Sequence, residues 1–367
     1  MELKNIKIES IDHQGRGIAK INGKVYFVKN ALIGEVVDIK ILEEHKKYNL
    51  AEAIKIIKAS NDRREVKCPY FFKCGGCDLL HMKYEAQINF KTQKVKNILK
   101  KYADIEVKEK IIPSDKEYNY RNKITLHCKN NHFGFYENKT NNITQIEKCL
   151  IADKNINNVL KKIQSNSKNI ILRTNGKEVI YKENEEILKT INNYKFKIHL
   201  NSFFQINDYI CSKIFEILQE NIKKDEIVLD LYSGVSTLSI VAAKKAKKVY
   251  AVEENKYAYI NAKENLKLNN VSNVELINKK VENIINNTNK EFNTIILDPP
   301  RKGLHKTVTN YLLSKKFEKI IYISCNPMTL ARDLNFLKSK YVIEKFYILD
   351  MFPNTYHVEC VCLLNLR

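Results

Sequence analysis

No stretch of the 367-residue chain approaches the roughly 18 apolar residues that a membrane-crossing helix needs. The opening Met1-Glu2-Leu3-Lys4-Asn5 also lacks the apolar core of a secretory signal. A cytoplasmic protein with no membrane partner is the expectation. Glycine and proline are scarce, at 10 and 6 residues, while lysine, asparagine and isoleucine crowd the chain, as AT-rich coding sequence would produce. Acidic residues are in deficit, 42 against 63 basic, leaving a formal net charge of +21. That excess is spread over several segments and is not one tail, so it points to a polyanionic partner, most simply nucleic acid. The nine cysteines, with no secretory signal before them, fit metal binding or catalysis in a reducing compartment better than disulfides.

Taken in order, the chain changes rhythm twice. Residues 1–58 alternate apolar and polar in short runs (Ile6-Lys7-Ile8, Lys24 to Val28, Glu35 to Ile41), separated by Gly15, Gly17, Gly23 and Gly34. Period-2 runs with turn signals at this spacing predict a small β-barrel, and Gly15-Arg16-Gly17 with interleaved lysines suggests an oligonucleotide-binding surface. Residues 59–200 are mixed α+β. Ile88, Val95, Ile98 and Leu99 fall at helical spacing between Tyr84 and Tyr102. Lys123 to His127 and Ile170 to Arg173 read as strands of an antiparallel sheet, and the Asn/Lys-rich stretches 138–142 and 164–169 as surface loops. From 201 to 367 strand, helix and strand alternate: Glu226 to Leu231, Thr237 to Ala246, Lys248 to Glu253, Lys256 to Leu268, Val274 to Ile277. That is the pattern of a doubly wound, Rossmann-like α/β domain.

In such a sheet ligands bind outside the carboxyl ends of the strands. The loop Asp230 to Thr237 follows the first strand, and Glu253 ends the second. Backbone amides and a helix amino terminus there can face a cofactor while an acid takes ribose hydroxyls. The full glycine fingerprint is missing, with Ser236 where a second glycine is expected, which argues against a pyrophosphate-hugging loop. S-adenosylmethionine has no phosphate and demands less. Asp298-Pro299-Pro300-Arg301 resembles the acidic-Pro-Pro-aromatic signature of nucleic-acid amino-methyltransferases, with Arg301 in place of the aromatic. Cys325, in Ser324-Cys325-Asn326-Pro327, follows an apolar run and precedes a helix expected from about Met328. A helix amino terminus and a cation such as Arg301 would lower its thiol pKa, as a nucleophile requires. Glu359 lies in an otherwise apolar chain end, where a carboxyl is costly unless paired or functional, and a general base of raised pKa fits. Cys360 and Cys362 read as core.

A second constellation is Cys68, Cys74 and Cys77, with Gly75-Gly76 between the last two and Cys149 far downstream. Three thiols within ten residues suit a four-thiolate centre. Chemistry leaves iron–sulfur and zinc both open, with His81 an alternative zinc ligand.

Together these residues resemble the class I RNA uracil-5-methyltransferase family, the TrmA/RumA-like enzymes, over essentially the whole chain. The similarity runs from a TRAM barrel (Gly15-Arg16-Gly17, Gly34-Glu35) through Cys74-Gly-Gly-Cys77, Tyr120-Arg121-Asn122-Lys123 and Phe204-Gln205-Ile206-Asn207. It continues through Asp230 to Gly234, Asp298 to Arg301, Ser324 to Pro327 and His357 to Glu359. The resemblance implies an S-adenosyl-L-methionine-dependent methyltransferase domain at 201–367, whose donor is contacted by Gln205, Tyr232, Glu253 and Asp298. It implies a 4Fe-4S cluster on Cys68, Cys74, Cys77 and Cys149 in the central domain, and a TRAM/OB-like barrel at 1–58 that binds RNA. The barrel and cluster elements look most like the 23S rRNA branch, with tRNA the alternative substrate and a monomer expected. The implied chemistry is addition of Cys325 to carbon 6 of uracil, methylation at carbon 5, and removal of the carbon 5 proton by Glu359. An exocyclic-amine methyltransferase built on Asp298-Pro-Pro, or a non-catalytic RNA-binding protein, are the competing readings.

Overall fold

The computed structural model describes residues 1–129, 132–138, 140–163, 167–285 and 290–367. Two of the expected loops fall partly outside these, at 139 and at 164–166, and the strand Asn169–Thr174 begins where the second was to end. The chain divides into two compact units, each assembled from separated segments. One comprises Met1–Lys94, His127–Cys149 and Phe352–Tyr356; the other comprises Val95–Leu126, Leu150–Met351 and His357–Arg367.

In the first unit the period-2 runs form a six-stranded sheet. Its order is Glu2–Lys7, Val36–Glu44, Tyr48–Lys58, Lys24–Lys29, Gly17–Ile21 and Ser10–Ile11. Alternation sends Ile8, Ala19, Tyr26, Val28, Val37, Ile39 and Ala51 to one buried face. Two of the signature residues turn out to be structural here. The Arg16 guanidinium grips the Asp12 carboxylate through Nε and Nη2 at 2.8 and 2.6 Å and lies 4.7 Å over the Phe27 ring. Glu35 is fully buried, where its carboxylate accepts from Arg63 (2.5 and 2.7 Å) and from the amides of Leu32 and Ser60. Removing Arg63 would strand the buried Glu35 carboxylate, a loss of about 3–5 kcal/mol.

The second unit holds an eight-stranded sheet. Its order is Val274–Ile277, Lys248–Val252, Ile227–Leu231, Thr294–Leu297, Lys319–Ser324, Glu359–Leu366, Tyr341–Leu349 and Glu109–Ile112. The first five strands are parallel, and Glu359–Leu366 runs antiparallel to both neighbours. Thr294–Leu297 and Lys319–Ser324 are buried along their whole length, as strands covered on both faces must be. Strand order reverses between Ile227–Leu231 and Thr294–Leu297, which opens a crevice at their carboxyl ends. The strand Glu109–Ile112, which nothing in its four residues announces, pairs with Tyr341–Leu349 at the far edge.

Candidate active site

The crevice at the strand reversal is a pocket lined by, among others, Phe203, Gln205, Tyr232, Gly234, Asp298 and Ile323. Its floor is the turn between Ile227–Leu231 and the helix Thr237–Ala243. The turn is glycine-poor and strained: Tyr232 (φ 67°) and Ser236 (φ 63°) are both left-handed. The position at which glycine was expected therefore does need a glycine-like backbone, and serine adopts it, at a cost of about 1–2 kcal/mol. Ties to the neighbouring strand hold the turn. Ser233 N donates to Val252 O at 3.0 Å, and Gly234 N donates to Glu253 Oε2 at 2.8 Å. Glu253 Oε1 also accepts from Asn255 N at 2.6 Å, so Glu253 shapes the loop beside the pocket. Beneath the turn Asp230 accepts from Ser239 Oγ at 2.5 Å, while Asp230 Oδ1 and Ser233 Oγ are buried without a partner. Burial first, then the charges of Asp298 and Glu253, push the Asp230 carboxyl up to about 7. A Cβ added at Gly234 would meet nothing within 4 Å. Open space over exposed backbone, with unsatisfied polar atoms beneath, fits a polar cofactor in the positions inferred for Gln205, Tyr232 and Asp298.

A thiol and a carboxyl meet at the same sheet edge. The antiparallel register pairs Ser324 with Cys360, and one further step brings Cys325 opposite Glu359. Glu359 thus reaches the site at the start of an inserted antiparallel strand, not at the exit of a parallel one. It is 3% exposed, and burial, reinforced by the charge of Asp298, drives its pKa well above the usual carboxylate range against the pull of Arg301. Asp298 is pushed up to about 7 by burial. Cys325 is half-buried, next to the helix Pro327–Leu337 capped by Asn326, whose Oδ1 accepts from Met328 N at 3.1 Å. Arg301 hydrogen-bonds the thiol and favours its ionisation, as the sequence suggested. Burial and the nearby Glu359 and Asp298 outweigh that pull, and the thiol pKa rises to about 11.

This sets a pH dependence. The reactive thiolate is the minor form at neutral pH, and its population grows as pH rises toward the raised pKa. Alkylation of Cys325 by iodoacetamide is expected to accelerate about tenfold per pH unit from about pH 7 to pH 10. Arg301→Gln is expected to slow alkylation at every pH in that range, read by mass spectrometry of the labelled peptide. A rate already level at neutral pH would contradict the assignment.

Two sets of side chains hold this edge in place. Asn122 Nδ2 donates to Gln205 O (2.9 Å) and to Asp208 Oδ1 (2.7 Å), and Asn207 caps the helix Asp208–Asn221. From the helix Pro327–Leu337, Asn326 Nδ2 donates to Arg301 O at 2.9 Å. Buried Asp333 accepts from Leu304 N and from the Tyr322 hydroxyl at 2.9 and 2.7 Å. The loop carrying Arg301 is thereby fastened to the strand that delivers Cys325.

Comparison with known proteins narrows the chemistry. The TRAM domain family matches residues 2–54, and the tRNA (uracil-5-)-methyltransferase family matches residues 162–367. The chain belongs to the tRNA (uracil-5-)-methyltransferase family. Among relatives similar to this family member is an uncharacterized RNA methyltransferase of Clostridium tetani, 32% identical over 440 residues, covering 98% of this chain and 96% of that one. Another, from Mycoplasma mobile, is 33% identical over 366 residues, covering 99% and 98%. Among solved structures, the Pyrococcus abyssi tRNA (uracil-54, C5)-methyltransferase bound to S-adenosyl-L-homocysteine superposes with a TM-score of 0.81 at 28% identity, covering 98% of this chain and 99% of that one. This family member is therefore an S-adenosylmethionine-dependent RNA methyltransferase. No helix among its described residues is long and apolar enough to cross a membrane.

The four cysteines assigned to a cluster by resemblance lie in the first unit of this methyltransferase. Cys77 is pushed well up by burial and then by Cys149 and Cys74, with Cys68 contributing, and Cys74 rises to about 11 from burial opposed by the Gly76 amide. The four thiols thus share one neighbourhood. Gly75 is required there, since a Cβ would come within 2.9 Å of Tyr136 O. Among the described residues, however, no group of three or more Cys, His, Asp or Glu side chains is arranged to hold a metal ion. His81, the alternative zinc ligand, is fully buried, both ring nitrogens lack partners, and burial with Arg63 and Arg64 nearby lowers its pKa to about 3.

Proposed function

We propose that this protein methylates uridine at carbon 5 in RNA, with 23S rRNA as the target, through a covalent Cys325 adduct. The observation that carries the reading is the pairing of a thiol held against Arg301 with a buried carboxyl of raised basicity, both coupled to Asp298 at the rim of the donor pocket. Gln205, Tyr232 and Asp298 would hold S-adenosylmethionine, with Glu253 fixing the loop; when bound, the donor supplies an electrophilic methyl group. Carbon 5 of uracil is too weak a nucleophile to take it unaided. Addition of the Cys325 thiolate to carbon 6 forms a C–S bond and turns the ring into an enolate whose carbon 5 is nucleophilic. Once carbon 5 carries the methyl group, Glu359 takes its proton, the C–S bond breaks and Cys325 leaves as thiolate. Arg301, a cation against the thiol, stabilises it at both ends of this sequence.

The target uridine must leave its stack to reach the thiol, which favours a loop or bulge of the RNA. Residues 1–58 supply an RNA-binding barrel, 59–200 a central RNA-binding region and 201–367 the methyltransferase domain. On the barrel, exposed Tyr48 stacks on His45 at 4.4 Å, with Lys46 and Lys47 between them in sequence, a platform suited to an unpaired base. A second reading, tRNA as substrate, is favoured by the Pyrococcus abyssi enzyme. Mapping 5-methyluridine in rRNA and tRNA from cells with and without the gene decides between them. Loss of no 5-methyluridine from either RNA would overturn the reaction itself.

The cysteine set is proposed to take an iron–sulfur cluster on Cys68, Cys74, Cys77 and Cys149, supported by the charge effects of Cys68 and Cys149 on both Cys74 and Cys77. Protein purified without air is expected to show broad visible absorbance with iron and acid-labile sulfide in equal amounts. Cys77→Ala is expected to lose both. Colourless, iron-free protein after reconstitution would dismiss the cluster.

A further inference from the structure

The helix Lys256–Leu268 begins a ladder that its amphipathic pattern does not explain. Asn261, Asn265 and Asn269 recur every four residues, so they stand on one face, and all three are buried. That face lies along the strand Tyr194–His199, whose other side pairs with Glu186–Ile191. Alternate backbone groups of the strand are taken by the asparagine side chains. Lys195 N donates to Asn269 Oδ1 (2.9 Å), Lys197 N to Asn265 Oδ1 (2.6 Å) and His199 N to Asn261 Oδ1 (2.9 Å). In return Asn269 Nδ2 donates to Lys195 O at 2.6 Å, and Asn265 Nδ2 to Lys197 O at 3.1 Å. The helix thereby stands in for a missing neighbouring strand, as buried backbone groups require.

Asn265 and Asn269 differ in the second acceptor of Nδ2. Asn269 Nδ2 donates within its own helix segment to Asn265 O at 2.8 Å, whereas Asn265 Nδ2 donates, at 3.1 Å, to Val235 O in the strained turn under the donor pocket. Val235 forms one wall of that pocket, and Phe203, Phe204 and Gln205, on the chain leaving the strand at His199, form another stretch of its lining. One amide thus ties the turn of the first to the strand that leads into the second. On its amide side the turn is held by Glu253, through Gly234 N. On its carbonyl side the tie is Asn265. A loop with two left-handed residues that are not glycine has local conformations of lower strain available, and such ties keep it from relaxing into them.

We propose that Asn265 is a positioning residue for the methyl donor, setting the spacing of these two stretches of pocket lining by bridging the Val235 carbonyl to the backbone of Lys197. The proposal rests on the donor-binding reading of the pocket. Asn269 provides the control, because it makes the same pair of strand bonds without reaching the turn.

The test compares Asn265→Leu and Asn269→Leu in the full-length protein. Titration calorimetry with S-adenosylhomocysteine gives donor-site affinity, filter binding gives RNA affinity, and steady-state kinetics give KM for the donor separately from kcat. Both variants are expected to lower the melting temperature by similar amounts. Only Asn265→Leu is expected to weaken donor-site binding and raise the donor KM, by about tenfold, with RNA affinity unchanged. Asn269→Leu should keep donor affinity within about twofold. Should Asn265→Leu fail to fold, Asn265→Asp keeps the oxygen that accepts from Lys197 N and loses the nitrogen that bridges Val235 O and Lys197 O, and the same tenfold weakening is expected. Equal loss in the 265 and 269 variants, or unchanged donor affinity at 265, overturns the proposal. A wild-type protein that binds no donor analogue would instead overturn the reading of the pocket, and this proposal with it.

Discussion

Cys325→Ala is expected to abolish methyl transfer, by about four orders of magnitude or more, while leaving S-adenosylmethionine binding intact. The size of the effect follows from what the sulfur does. Without a bond at carbon 6, carbon 5 has no enolate character, and no arrangement of the donor compensates for that. The sparing of donor binding follows from position, since Cys325 stands beside the pocket and is not among the residues that line it. Turnover assays on unmodified RNA, paired with calorimetry on the donor, read the two quantities separately. Undiminished turnover in Cys325→Ala would rule out the covalent route and favour the exocyclic-amine chemistry, which needs neither the thiol nor Glu359. A variant that also loses donor affinity would show that the thiol shapes the pocket, and the pairing with Glu359 would then need another explanation.

The features legible in the sequence were those encoded locally. Ile295 to Leu297 and Ile320 to Ile323 read as buried strands because their apolar runs are continuous, and both end where a chemical group follows, Asp298 and Cys325. The helix Tyr84–Ala103 was legible from its 3.6-residue spacing. What escaped the sequence depends on pairings distant in the chain. Glu359 was legible as a costly carboxyl in an apolar chain end, but not its delivery by the inserted antiparallel strand Glu359–Leu366, which brings it to the edge where the parallel strands end. Glu109–Ile112 is four residues long and joins a sheet whose other strands begin more than a hundred residues later. The balance of forces at Cys325 was also out of reach: Arg301 and a helix terminus are visible in the sequence, whereas the burial that outweighs them is a property of the fold. Asn265 gave no functional signal, because an asparagine repeated every four residues in an Asn-rich chain resembles composition bias.

Glu359→Gln is expected to trap the enzyme on its substrate. The amide keeps the shape of the carboxyl, so Cys325 still adds to carbon 6 and carbon 5 still receives the methyl group. With no base to remove the carbon 5 proton, elimination stalls, and a covalent protein–RNA species should accumulate and migrate slowly on a denaturing gel. Turnover is expected to fall by about two to four orders of magnitude, the usual worth of a positioned proton acceptor. The same substitution should stabilise the fold at alkaline pH. A carboxyl whose folded pKa lies above its unfolded value binds more protons when folded, so its contribution is full below the unfolded pKa and is lost as pH rises through the folded one. Glutamine carries no such proton and escapes that loss, so the melting temperature of Glu359→Gln should exceed that of the wild type increasingly from neutral to alkaline pH. The two readouts separate the roles. A gain in stability without an adduct would mark Glu359 as a buried acid that tunes Cys325, leaving proton removal from carbon 5 to Asp298, the other carboxyl raised toward neutrality at this edge.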